Sequence, residues 1–134
     1  MNAFSLKIVT PDGLEFDGQA EELIVGSTTG DIGILAGHVN CVAPLGMGRA
    51  TIVTDGVKRY AACIGGMLSV VDGKVTLVPT TFEWADEIDA ARVEVSYEKA
   101  QKVLSNKDAS NTEMKLAEAR LRRALVRRSV VSYK

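Results

Sequence analysis

The chain has 134 residues, 46% of them hydrophobic and 25% charged, with a formal net charge of −1 at neutral pH. That length can bury roughly two-thirds of the unfolded surface, enough for one core, and the near-zero charge argues against a dedicated nucleic-acid binder. No apolar run reaches the ~18 residues a membrane-spanning helix needs.

Phe4, Leu6 and Ile8 alternate with polar neighbours, the period of a half-buried strand. A strand pattern beginning at Phe4 predicts no signal or transit peptide. Thr10-Pro11-Asp12-Gly13 reads as a type I turn, after which Leu14 and Phe16 resume the alternation. Leu23-Ile24-Val25 is a short β run. The stretch Gly30-Asp31-Ile32-Gly33-Ile34-Leu35-Ala36-Gly37-His38 is the richest in glycine. It lacks the Gly-Lys-Ser/Thr and the opening helix of a phosphate loop, so it reads as a structured turn region. His38 is the only histidine, a poor catalytic candidate without a nucleophile or metal partner nearby. Cys41 and Cys63 lack metal-ligand spacing and read as reduced, buried small hydrophobes of a cytosolic protein. Asp55-Gly56 and Asp72-Gly73 each separate two β runs, and both dipeptides tolerate the positive φ of tight hairpins. Gly65-Gly66 predicts a bend or a close backbone approach.

The chain changes character near Trp84. Residues 1–86 carry 5 Lys+Arg against 10 Asp+Glu, whereas residues 87–134 carry 11 against 7. Asp86, Glu87 and Asp89 place acids where a helix dipole favours them. Val93, Tyr97, Ala100 and Leu104 form one apolar stripe, and Met114, Ala117, Leu121, Ala124 and Leu125 form a second. Between them Ser110 and Glu113 have the spacing of a capping box. The reading is an α+β chain by segregated parts: an antiparallel β-sandwich over residues 1–84, then an antiparallel two-helix hairpin over residues 85–134. The hairpin's many alanines bury little area, so it should open at modest cost. Arg120, Arg122, Arg123, Arg127 and Arg128 crowd the last helix, and their mutual repulsion would be relieved by an acidic surface or a polyphosphate.

These features together resemble the ε subunits of bacterial F-type ATP synthases. The resemblance rests on Val9-Thr10-Pro11-Asp12-Gly13, the GDIGILAGH segment (30–38), Ala43-Pro44-Leu45, Gly65-Gly66, the Ile88-Asp89-x-x-Arg92 motif at the seam, and the closing helix pair. It implies a sandwich of about ten strands that packs on the γ subunit and rests on the ring of c subunits, rotating with them as the central stalk. It implies no catalytic site, no metal, and no required cofactor. The subunit would couple proton- or sodium-driven rotation to the α/β catalytic head as a peripheral protein on the cytoplasmic face of the bacterial plasma membrane. By position, Asp31 and His38 would meet the c-ring and γ. The hairpin would be an inhibitor of ATP hydrolysis whose last helix, with Arg120, Arg122, Arg123, Arg127 and Arg128, extends into the head. In some family members the folded hairpin binds ATP, and the matching positions here are Glu83, Ile88, Asp89, Arg92, Arg123 and Arg127.

Three positions depart from the family pattern. Val93 replaces an alanine, Lys99 replaces an arginine and loses its planar fork, and Asn40 replaces a proline, which is expected to loosen the loop after His38. The residues also admit other readings: a free-standing nucleotide sensor using the same arginines, or a nucleic-acid module, which the lack of interleaved aromatics disfavours. An enzyme is disfavoured by the absence of any nucleophile–base pairing.

Overall fold

The computed structural model describes residues 2–133. Ten strands form two five-stranded sheets. The first has the order β2 (Gly13–Ala20), β1 (Phe4–Thr10), β9 (Lys74–Val78), β8 (Met67–Val71), β5 (Cys41–Pro44). The second has the order β10 (Thr81–Trp84), β7 (Val57–Ile64), β6 (Met47–Thr54), β3 (Glu22–Ser27), β4 (Gly30–Ile34). All pairings are antiparallel except β1 with β9. Those two strands lie far apart in sequence, so no short turn fixes their relative direction.

Alternation decides which residues fill the space between the sheets. Phe4, Leu6 and Ile8 point inward from β1 and are buried. Leu23 and Val25, Leu68 and Val70, Val75 and Leu77, and Phe82 and Trp84 do the same from their strands. Cys63 lies in this core, and burial pushes its thiol up to about 12, which keeps it protonated and inert. Cys41 is only half-buried against the same core.

Both predicted Asp-Gly turns are present, with φ of 51° and 76° at Asp55 and Gly56 and 48° and 79° at Asp72 and Gly73. At Gly66, φ is 99° and a Cβ would lie 2.0 Å from the Val78 carbonyl oxygen. Only glycine lets the chain leave β7 there, cross to the first sheet and pass this closely over Pro79. Backbone hydrogen bonds from Leu45 to Gly66 (2.8 Å) and from Gly65 to Gly46 (2.9 Å) tie that crossing to the one between β5 and β6.

Three local expectations are corrected. Leu14 does not continue the buried alternation and is 58% exposed. A bulge at Glu15 shifts the β1–β2 register, so Phe16 pairs with Ile8 but Leu14 pairs with Val9, whose side faces outward. The first five residues of the GDIGILAGH segment are an edge strand, β4, rather than a turn; the turn proper falls at Ala36–Gly37. Asn40 does not loosen the following loop. Its side chain accepts from the Asp72 amide (2.8 Å) and donates to the Asp72 carboxylate (3.3 Å), fastening the loop to the β8–β9 turn.

After a 3₁₀ turn at Ala85–Glu87 come α1 (Ala90–Ser105) and α2 (Asn111–Val131), packed against each other. Asp89 caps α1 by accepting from the amides of Ala91 (3.0 Å) and Arg92 (3.2 Å). The expected capping box opens α2, with both Ser110–Glu113 bonds formed. Val93, Ala100, Ala117 and Ala124 are buried, but Leu125 is 43% exposed. The helix packs against two neighbours at once, and its buried residues near the C-terminus are Ala124 and Val130. These join Ala62, Ala85, Ile88 and Val93 in a second apolar cluster on the outer face of the second sheet. It is chiefly α2 that packs against β6 and β7.

Candidate functional site

The site lies where β10 runs into the helices. Phe82 and Trp84 point into the core, so Glu83, between them, must point out of the sheet toward α2. There its Oε1 accepts from Arg127 Nε at 2.5 Å, and both side chains are about two-thirds shielded. One turn further, Ile88 is buried, 2% exposed, beneath the start of α1. The Asp89 cap fixes the first turn of α1 and with it the root of Arg92.

Two adjoining cavities open between β10, α1 and α2. The first, about 230 Å³, is lined by Glu83, Glu87, Ile88, Asp89, Arg92, Val93, Ser96, Ala124 and Arg127. The second, about 740 Å³, has an apolar floor of Ala100, Val103 and Ala117 under Lys99, Lys102, Arg120, Arg123 and Arg127. Ser96 and Arg127 line both. The cleft is therefore graded in charge: three carboxylates at the end near β10, cations along the rest.

Helix geometry sorts the five clustered arginines. Positions 120, 123 and 127 are spaced by three and four, so they share one face and line the cleft. Arg122 points away and pairs with Glu118 at 3.8 Å on the surface. Arg128 also points away. Its guanidinium makes two 2.9 Å bonds to the Glu94 carboxylate and lies 3.9 Å from the Tyr97 ring centre. The Glu94 bonds, more than any other influence, hold it charged above even the ordinary arginine range.

All six residues suggested for ATP contact line one or both cavities: Glu83, Ile88, Asp89, Arg92, Arg123 and Arg127. Lys102, Ser96 and Thr81 line them as well and were not anticipated from the sequence. Lys99 and Lys102 are three apart, and that spacing was a usable signal. Among the described residues, no three or more His, Cys, Asp or Glu side chains come together as metal ligands would.

Asp31 and His38 belong to a different region. Asp31 is exposed on β4, opposite Gly26. His38 is in the loop beyond β4, its amide donating to the Leu35 carbonyl (3.2 Å) and its Nδ1 donating to the Val39 carbonyl (2.8 Å). Gly33 has open space where a side chain would stand, so nothing within the chain itself requires glycine there. Around β5, Pro44, Met67 and Val78 are register neighbours on the outward face of the first sheet, and all three are exposed.

Residues 3–85 match the family model for the beta-sandwich domain of the ATP synthase delta/epsilon chain, and residues 86–132 match the model for its long alpha-helix domain. The chain is 42% identical to the ATP synthase epsilon chain of Ruminococcus albus over 114 residues, 84% of each chain. It is 38% identical to that of Bacillus subtilis over 115 residues, 86% of each. In fold it superposes with a TM-score of 0.83 on a chain of the Euglena gracilis mitochondrial ATP synthase, at 20% identity, covering 98% of this chain and 82% of that one. The chain belongs to the ATP synthase epsilon chain family, whose members are non-catalytic subunits. Among its described residues, no helix is long and apolar enough to cross a membrane.

Proposed function

We propose that the chain is the ε subunit of a bacterial F-type synthase central stalk, with its sandwich on γ and the c-ring and its helices acting as a nucleotide-sensitive inhibitor of ATP hydrolysis. The complex would sit at the cytoplasmic face of the plasma membrane and couple proton or sodium flow to the catalytic head. The observation that carries the nucleotide reading is the graded cleft. Its cationic row, Arg120, Arg123 and Arg127 with Lys99 and Lys102, suits a polyphosphate, and the apolar Ile88 and Val93 with the acceptor carboxylates Glu83 and Asp89 suit a base and ribose. The cleft exists only while α1, α2 and β10 are packed together. ATP bound there stabilises the folded arm and disfavours its extension into the head. In the extended state Arg122 and Arg128, here on the outer faces, join the other arginines against acidic surface.

The rotor role is supported by exposed apolar Pro44, Met67 and Val78, which a partner would cover, and by the open backbone at Gly33 beside Asp31. Deleting residues from 87 onward should leave γ binding intact and raise ATP hydrolysis by the assembled enzyme. Loss of γ binding on truncation would refute the division into a docking part and a regulatory part. Titration of the full-length protein with ATP tests the cleft: Arg92→Ala and Arg123→Ala should each weaken binding about tenfold or more. Equal affinity in wild type and both variants would place the nucleotide elsewhere or nowhere. A free-standing sensor would elute alone, whereas a stalk subunit co-purifies with γ.

A further inference from the structure

Just past the C-terminus of α2, the chain is held to the sandwich by a contact outside the cleft. Tyr133 stacks on Tyr60 of β7 with ring centres 4.7 Å apart and planes inclined by 43°. Arg49 of β6 spans both rings, its guanidinium carbon 4.1 Å from the Tyr133 centre and 5.3 Å from that of Tyr60. Strand register makes this possible. Arg49 pairs with Ala62, and Tyr60 is two residues before Ala62, so all three stand on the outer face of the sheet. Ala62 is small and fully buried, which lets α2 come close, and the two larger side chains beside it reach up to the helix end. The Tyr133 amide donates to the Val130 carbonyl at 2.9 Å, continuing the helix far enough to aim the ring.

Two features separate this contact from ordinary core packing. Tyr133 remains 44% exposed, so the contact sits at the protein surface, open to solvent, and not inside the core. None of the three residues lines either cavity, so a nucleotide in the cleft would neither touch nor replace them. The Glu83–Arg127 pair, by contrast, lies where a phosphate would compete for the arginine.

We propose that Arg49, Tyr60 and Tyr133 form a latch that sets, independently of nucleotide, how often the C-terminal helix leaves the sandwich. Its consequence for the synthase rests on the inhibitory-arm reading given above. The latch fixes the baseline population of folded arms, and a nucleotide then adds to that baseline through the cleft.

The test compares full-length wild type with Tyr133→Ala, Arg49→Ala and Tyr133→Phe by amide hydrogen exchange without nucleotide. Amides of residues 117–127 should exchange about tenfold faster in Tyr133→Ala, with a smaller increase in Arg49→Ala. Tyr133→Phe keeps the ring face and should stay near wild type. Amides of β1 and β9 should not change, which shows that the variants fold. Unchanged exchange in Tyr133→Ala, or an increase confined to the final turn, would overturn the latch. The same variants assembled into the synthase should hydrolyse ATP more slowly. Faster exchange with unaltered hydrolysis would support the latch and count against the inhibitory arm. Unaltered exchange, with hydrolysis still relieved by deleting the arm, would count against the latch alone.

Discussion

The two regions of this chain are held together by different means. The sandwich interior is built of large apolar side chains, with Leu6, Ile8, Leu23, Ile34, Ile52, Leu68 and Leu77 fully buried. The cluster that seats the helices has six buried residues, three of them alanine. Burial contributes in proportion to apolar area, so the helices gain far less per residue from packing. They make up part of the difference with charge and aromatic contacts at the C-terminal end of α2: Glu83–Arg127 to the sandwich, Glu94–Arg128 between the helices, and Tyr133 on Tyr60. The lesson is that a fold can carry one part that unfolds only with the whole and another whose attachment is a short set of separable contacts.

Mutations should expose that contrast, most strongly in the core. Ile52→Ala leaves a cavity between the sheets and should cost about 3 kcal/mol or more, read as a lower urea midpoint for the whole protein. If only the helices melted in that variant, the supposed hierarchy would be inverted. Arg127→Ala removes a part-shielded ion pair and should weaken helix docking by about 1–2 kcal/mol, seen as faster amide exchange in α2 with the sandwich unaffected. A uniform rise in exchange across both regions would mean the two are one cooperative unit. Ser110→Ala removes the α2 capping box and should cost about 1 kcal/mol, confined to the start of that helix. Protection lost at the opposite end of α2 would contradict this placement.

The smallest effect concerns pH at the seam. Desolvation first, then the charges of Glu87 and Asp12, push the Glu15 carboxyl above its ordinary range. A carboxyl with a raised folded-state pKa favours the fold most at acid pH, and that contribution is lost as pH rises from the ordinary carboxylate range through the raised value. Glu15→Gln should therefore raise the thermal midpoint slightly at pH 7 and leave it unchanged near pH 3. A destabilised variant at pH 7 would show that Glu15 makes a favourable contact instead.

Much of this arrangement is written in local sequence. Strand alternation (Leu14 apart), the two Asp-Gly turns, the Ser110–Glu113 cap and the arginine-rich last helix are short-range patterns, and each appears where its residues predict it. The cleft was legible only through family resemblance, because its walls come from β10, from α1 and from α2 positions as distant as Arg127, 44 residues beyond Glu83. Periodicity groups Arg120, Arg123 and Arg127 on one face, but it does not say what that face meets. That depends on how α2 is rotated against two surfaces at once, which also leaves Leu125 exposed and buries Val130.

The remaining differences have the same origin. One extra residue at Glu15 moved Leu14 to the outer face, and the pairing partner rather than the residue itself decided its burial. Asn40 acquired its role from Asp72, 32 residues away. Composition and spacing thus determined the elements, their turns and the reservoir of positive charge, since those depend on near neighbours along the chain. Tertiary packing alone decided which arginines became a site, which became ties, and that the final tyrosine would find Tyr60 and Arg49, because those outcomes depend on surfaces that meet only after folding.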